Sequence, residues 1–263
     1  MTVKFLLLIP LLLLLTACAA PHVQPVYAPL EYQPPQLEYE PEPYIPYEPE
    51  PPEPEPYVPY IPEPYIPYEP EPEPFETIFI AEPLPYHIIE QITDVSFHPN
   101  PHFDYCHLAY LTITHVDFYG YSRHGHIIVA ASIADEVLDI FREIYDYGFP
   151  IAGMRLIDYY DALDYYSMAD NNSVGFNYRY IAGTTTLSRH AWGMAIDINP
   201  IQNPFIRGDV ILPVAGRYYL DRSYVRPGMI VPGDVVYRAF TSRGWIWGGH
   251  WRVPIDYHHF ERR

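Results

Sequence analysis

Between Ala19 and Glu76 a proline stands at nearly every second or third position, and this confines folding to the remainder of the chain. Each proline removes a backbone donor and fixes φ, so the segment favours extended polyproline II over helix or sheet. The run Glu42-Pro-Tyr-Ile-Pro-Tyr-Glu-Pro-Glu-Pro51 recurs as Glu63 to Pro72, and residues 19–76 carry 13 Glu with no Lys or Arg. Self-repulsion stiffens such a chain further, and at ~3.1 Å per residue it reaches on the order of 180 Å when fully extended. The segment reads as a stalk. Its regularly spaced tyrosines could instead bind a partner domain, but a spacer accounts for the composition without one.

Ahead of the stalk, Lys4 precedes an apolar run from Phe5 to Leu15 that is too short for a membrane span and suits a signal-peptide core. The run ends in Leu15-Thr16-Ala17-Cys18, which resembles the bacterial lipoprotein signal. That resemblance implies residues 1–17 as signal peptide and Cys18 as the lipidated residue, with the chain held at a bacterial membrane in the cell envelope. Ala19 after the cysteine permits outer-membrane sorting. Residues 18–76 are then lipid anchor and linker, and residues 77–263 the functional domain. Cys106 is the one remaining cysteine, so no internal disulfide is expected, and we read it as a small buried hydrophobe.

The stalk dominates the net charge of −18, because residues 77–263 hold 20 acidic residues against 14 arginines. No basic stripe with interleaved aromatics occurs, so the composition offers no nucleic-acid surface.

The 77–263 region is long enough for one sizeable core. Alternation over Leu108 to Phe118 and again over Gly125 to Ala131 predicts a β-hairpin, with His124 and His126 in its turn. Ile133, Val137, Ile140, Phe141 and Ile144 fall at helical spacing, predicting a helix capped by Ser132 and ended by Gly148. Phe149 to Ile157 reads as a strand, Asp158 to Ala169 as helical, Asn171 to Gly175 as a loop, and Asp234 to Arg243 as a helix ending at Gly244. Strands and helices without regular βαβ alternation give an α+β fold with an antiparallel sheet core and flanking helices.

Two polar clusters interrupt the apolar C-terminal part, Ser188-Arg-His-Ala-Trp-Gly-Met-Ala-Ile-Asp197 and Asp256-Tyr-His-His-Phe-Glu261. His190, Asp197 and one histidine of the second cluster make three ligands and leave a fourth tetrahedral position open, as in a catalytic zinc site. In Met194 to Ile198 the two-residue period turns Asp197 away from the apolar face, where a carboxylate needs a compensating cation. Gly193 gives the bend that brings His190 round to Asp197. Asp256 is the candidate base that moves a proton from the attacking water to the leaving amine. Three positions separate Asp256 from His259, so their convergence requires a bend near Tyr257. A rival cluster of His98, His102, Cys106 and His107 is set aside because Pro99 and Pro101 break it and no paired ligand motif accompanies it.

Ser188-x-His190, Gly193-x-Ala195-Ile196-Asp197 and Asp256-x-x-His259-Phe260 resemble the VanY-type zinc D-alanyl-D-alanine carboxypeptidases, a family that includes L-alanyl-D-glutamate endolysins. The resemblance extends through Asn171-Asn172-Ser173, Phe176 to Arg179, Asn199-Pro200 and Gly244-Trp245-x-Trp247-Gly248-Gly249, over roughly residues 104–261. It implies a zinc peptidase of peptidoglycan stem peptides, with His190, Asp197 and His259 as ligands and Asp256 as base. By the same match Arg179 lies near the scissile carbonyl and substrate carboxylate and Ser188 bonds the substrate terminus; Trp247 is a further candidate substrate contact. Packing is the plainer reading of Trp245, Trp247 and Trp251. His258 is implied to face away, as a supporting partner or a surface histidine. DD-carboxypeptidase, LD-carboxypeptidase and L-Ala-D-Glu endopeptidase activities remain open, as does a non-catalytic wall-binding lipoprotein.

Overall fold

A computed structural model of the chain describes residues 75–99 and 103–263. The segments read above as signal peptide and stalk, with Cys18, lie before residue 75 and outside the described residues. No helix among the described residues is long and apolar enough to cross a membrane.

The first sheet follows from the two alternating segments. Strands β1 (Phe79–Pro83), β2 (Leu108–Val116) and β3 (Ser122–Ala130) pair antiparallel in that order, with Leu111 opposite Ile127. Successive side chains take opposite faces. Leu111, Ile113, Ile127 and Val129 enter one apolar cluster, and Leu108 and Ile128 enter another. Helix α1 (Tyr86–Ile92) packs Ile88 and Ile92 into the second cluster. Helix α2 (Ala134–Tyr147) packs Val137, Ile140, Phe141 and Ile144 into the first. Each such buried side chain contributes about 1.5–3 kcal/mol.

The chain beyond Gly148 is built differently. Helices α3 (Asp164–Ala169) and α4 (Val235–Thr241) are short, and the remaining strands have two or three residues each. Strands β4 (Ala195–Asp197), β9 (His259–Glu261) and β7 (Ile246–Trp247) form one sheet in the order β4-β9-β7. Strands β6 (Val210–Leu212), β5 (Phe205–Arg207) and β8 (Ile255–Asp256) form another in the order β6-β5-β8. All paired strands are antiparallel, so the α+β reading stands.

Several local expectations are corrected. Ser132 is no cap: residues 131–133 form a 3-10 turn, and the N-cap position of α2 falls on Ile133, with Asp135 and Glu136 supplying negative charge to the first turn. That charge favours the helix N-terminus without a capping side chain. Gly148 does end α2, at φ +77°. His124 and His126 are strand residues of β3, because the hairpin turns earlier, at Gly120 (φ +84°). Residues 149–156 form no strand and make only isolated bridges, at Pro150 and Met154, and Ile157 already begins a 3-10 turn. Positive φ at Asp161 and Ala162 splits the predicted 158–169 helix into a 3-10 turn and α3. Residues 173–174 are more than loop, since Val174 bridges Asp197. Cys106 is exposed: it sits on the 3-10 turn Tyr105–His107, whose Tyr105 ring takes the inward position against Phe97.

Candidate metal centre

Strand register brings the first pair of ligands together. Asp197 lies directly opposite His259 in the β4–β9 ladder, and directly opposed residues share a face. Ile196 and Ile198, on either side of Asp197, are fully buried in the core, which leaves the carboxylate the other face. His190 arrives from the 3-10 turn Arg189–Trp192, capped by Ser188 Oγ accepting from His190 N at 3.2 Å. Gly193 closes that turn at φ +64°, and a Cβ there would meet Ala130 N at 2.4 Å. Only glycine permits both the left-handed conformation and this approach to β3.

The three ligand atoms form a triangle. His190 Nε2 lies 3.2 Å from Asp197 Oδ1 and 3.2 Å from His259 Nδ1, and His259 Nδ1 lies 2.9 Å from Asp197 Oδ1. Bonds of ~2.0–2.1 Å in a tetrahedral site imply ligand separations of about 3.3 Å, so the triangle closely fits one face of a zinc tetrahedron. The outer nitrogens are occupied. His190 Nδ1 donates to Gly175 O at 2.5 Å, and His259 Nε2 approaches Glu261 Oε2 at 3.4 Å. With their protons assigned to those outer nitrogens, two imidazole lone pairs and a carboxylate oxygen face one another, a set that positive charge satisfies, either a metal ion or a proton on His259 Nδ1. Among the described residues this is the one group of three His, Cys, Asp or Glu side chains suited to a metal ion.

Acidities follow the same electrostatics. Burial works against ionised Asp197, but His190 and His258 outweigh it and hold the carboxyl well below its usual range. Burial would lower the pKa of His259, yet hydrogen bonds to Asp197 and Glu261, with the charges of Asp197 and Asp256, push it up to about 10. The pocket attracts positive charge.

Asp256 reaches the cluster from a different sheet. It ends β8, paired with β5, whereas His259 begins β9; the chain bends at Tyr257 and His258, as convergence requires. His258 fills the corner. It is 3 % exposed and turns towards Asp256 and Asp197, so it neither lies at the surface nor faces away as expected. Its Nδ1 donates to Asn203 O at 2.7 Å, and its Nε2 lies 2.9 Å from Asp256 Oδ1 and 3.8 Å from Asp197 Oδ2. Burial disfavours its charge, but Asp256 and Asp197 overcome this and raise its pKa to about 9. The close approach to Asp256 Oδ1 is an ion contact out of hydrogen-bond alignment, and that buried oxygen has no hydrogen-bond partner in the protein. Asp256 Oδ1 therefore keeps an acceptor that the protein leaves unused.

The remaining candidates separate. Trp247 is 2 % exposed; its ring packs on Tyr237, His250 and Phe260, and its Nε1 donates to Tyr257 O at 2.8 Å. It is a core residue and offers no face to substrate. Ser188 is buried and serves as the cap described above. Arg179 is partly exposed and pairs with Asp164. Of the rival cluster, His107 caps the turn begun by Asp104, and His102 lies outside the described residues.

Glu261 was legible and missed. It lies two residues beyond His259, and the two-residue period of a strand puts it on the ligand face. Asn203, another unassigned residue, supports the loop after β4: its Oδ1 accepts from Ile230 N at 2.7 Å and its Nδ2 donates to Ile198 O and Gly228 O.

Residues 182–262 match the family described as D-alanyl-D-alanine carboxypeptidase. The matched segment carries His190, Asp197, Asp256 and His259, so the family match covers the three residues whose geometry suits a metal ion. It supports a carboxypeptidase-like peptidase. Arg179 and the segment before it lie outside the match, which is shorter than the resemblance over residues 104–261. No curated protein and no solved structure matches the chain.

Proposed function

We propose that this protein is a zinc-dependent peptidase of peptidoglycan stem peptides, acting as a D-alanyl-D-alanine carboxypeptidase. The observation that carries the proposal is the triangle of three buried acceptors, with edges of 2.9–3.2 Å, inside the segment that matches that family. His190 Nε2, Asp197 Oδ1 and His259 Nδ1 would hold the ion. When bound, zinc supplies Lewis acidity, making water nucleophilic at neutral pH and polarising the scissile carbonyl.

The protein's own groups supply the rest. Gly175 O and Glu261 orient the two imidazoles through their outer nitrogens, a support that commonly governs metal affinity. Asp256 takes the proton of the attacking water and returns it to the leaving amine. His258 holds Asp256 beside the cluster while its other nitrogen is tied to Asn203 O. Arg179 offers a guanidinium to the substrate's terminal carboxylate, a pairing suited to its planar donors. A lipid at Cys18 and the Pro/Glu/Tyr stalk would carry this domain from a membrane towards the wall.

The test is incubation of the full-length protein with defined stem peptides, with and without a chelator, while released amino acids are identified. Release of terminal D-alanine that stops with chelator and returns with zinc is expected. Release of an L-Ala or D-Glu fragment would move the assignment to an endopeptidase, and chelator-insensitive or absent cleavage of every peptide would overturn it.

A further inference from the structure

Arg179 lies in a ribbon whose register the hydrogen bonds define. Tyr180 bridges Leu187, Ser188 N donates to Arg179 O at 3.0 Å, and Asn177 N donates to His190 O at 3.1 Å. Arg179 is therefore opposite Ser188, and His190 lies two residues beyond Ser188, inside the 3-10 turn that Ser188 caps. Side chains two apart on one strand share a face, so Asn177 and Arg179 extend the same way.

Both meet Asp164, the first residue of α3. Asp164 Oδ1 accepts from Asn177 Nδ2 at 2.9 Å, and Oδ2 forms an ion pair with Arg179 Nε. The Nη groups of Arg179 make no hydrogen bond or ion pair with other described residues, and about a third of its side chain is exposed. The Asp164 charge thus holds the buried Nε side of the guanidinium by ion pairing, without an aligned hydrogen bond, and the Nη groups keep their donors for a ligand. A two-nitrogen edge is the part that grips a carboxylate in bidentate fashion.

We infer that Asp164 is a positioning residue for substrate recognition: it locks the Nε edge of Arg179 so that the Nη edge is presented, already oriented, to a ligand carboxylate beside the metal cluster. The inference rests on the peptidase reading for the identity of that ligand. Without Asp164, an arginine with four rotatable bonds must be ordered anew at each binding event. Asn177 then acts as a strut, fixing the opposite oxygen of Asp164.

The experiment compares two N-acylated D-alanyl-D-alanine peptides, one with a free C-terminal carboxylate and one with a C-terminal amide. Their binding to full-length protein is measured by calorimetry in an Asp256→Ala background so that neither is consumed. Asp164→Asn, which keeps an acceptor for Asn177, should weaken the carboxylate peptide about tenfold and the amide less than about twofold. In an Arg179→Ala background the same substitution should add nothing. Equal losses on both peptides, no loss, or a full further loss without Arg179 would each overturn the inference, as would failure of the Asp256→Ala protein to bind the carboxylate peptide. Cleavage of stem peptides by the wild type alongside any of these results would leave the peptidase reading standing and remove only the role of Asp164.

Discussion

The part of the fold up to Gly148 and the part after it are stabilised by different means. Before Gly148, two nine-residue strands and a 14-residue helix bury apolar stripes against one another. After it, strands of two or three residues are tied by buried asparagines, glycine turns and side-chain bonds to backbone. The candidate metal ligands all come from this second part. Its short strands let consecutive residues belong to different sheets, so Asp256 and His259 approach the cluster from separate directions. Long regular strands would send residues three apart to opposite faces.

The largest effect should come from the irregular part and leave the fold intact. Asp256→Ala is expected to lower kcat about 10²–10⁴-fold, the range for a general base, while zinc content and melting temperature stay near wild type. Joint loss of zinc and folding would show that Asp256 is a structural member of the site. The converse substitution lies in the regular part. Phe141→Ala, which removes a ring 1 % exposed between α2 and α4, should cost about 3–5 kcal/mol in denaturant unfolding. A cost below about 1 kcal/mol would mean that this apolar interface does not hold the two parts together.

Asn203→Ala probes whether hydrogen bonds take over that role after Gly148. Its carboxamide serves Ile230 N, Ile198 O, Asn199 O, Gly228 O and Arg222, and truncation strands several buried groups at once. A loss of about 2–4 kcal/mol is expected, approaching that of Phe141→Ala. Zinc affinity should fall with it, because the loop that loses these bonds carries the backbone Asn203 O against which His258 is set. A near-neutral result would erase the contrast between the two parts.

What could be read from the chain divides along the same line. The strands over 108–116 and 122–130 and the helix before Gly148 announce themselves by period, because each has one wet and one dry face. His190, Asp197, Asp256 and His259 were legible for another reason: charged and imidazole groups in apolar surroundings need partners, and their spacing resembles a known family. The rest was hidden in tertiary pairing. Trp247 carries no sign of whether its ring faces a cleft or the core. The bond from Asp164 to Arg179 joins α3 to a distant ribbon, and the burial of His258 depends on Asn203, far away in sequence. Cys106 and Tyr105 are adjacent, and only the direction of a 3-10 turn decides that the tyrosine goes inward.

The smallest expected effect lies at the boundary between periodic pattern and local geometry, at Ser132. A serine just ahead of an amphipathic run is a strong sequence cue for an N-cap, and removing a true cap costs about 0.5–2 kcal/mol. Here residues 131–133 form a 3-10 turn, Ser132 lies inside it, and no side chain caps α2. The apolar stripe and the acidic residues Asp135 and Glu136 suffice to start the helix. Ser132→Ala should therefore shift stability by less than about 0.5 kcal/mol, within the range of ordinary surface changes. A loss of 1 kcal/mol or more, about the worth of a cap, would restore Ser132 as the start signal and make the regular part as dependent on side-chain to backbone bonds as the part that holds the metal site.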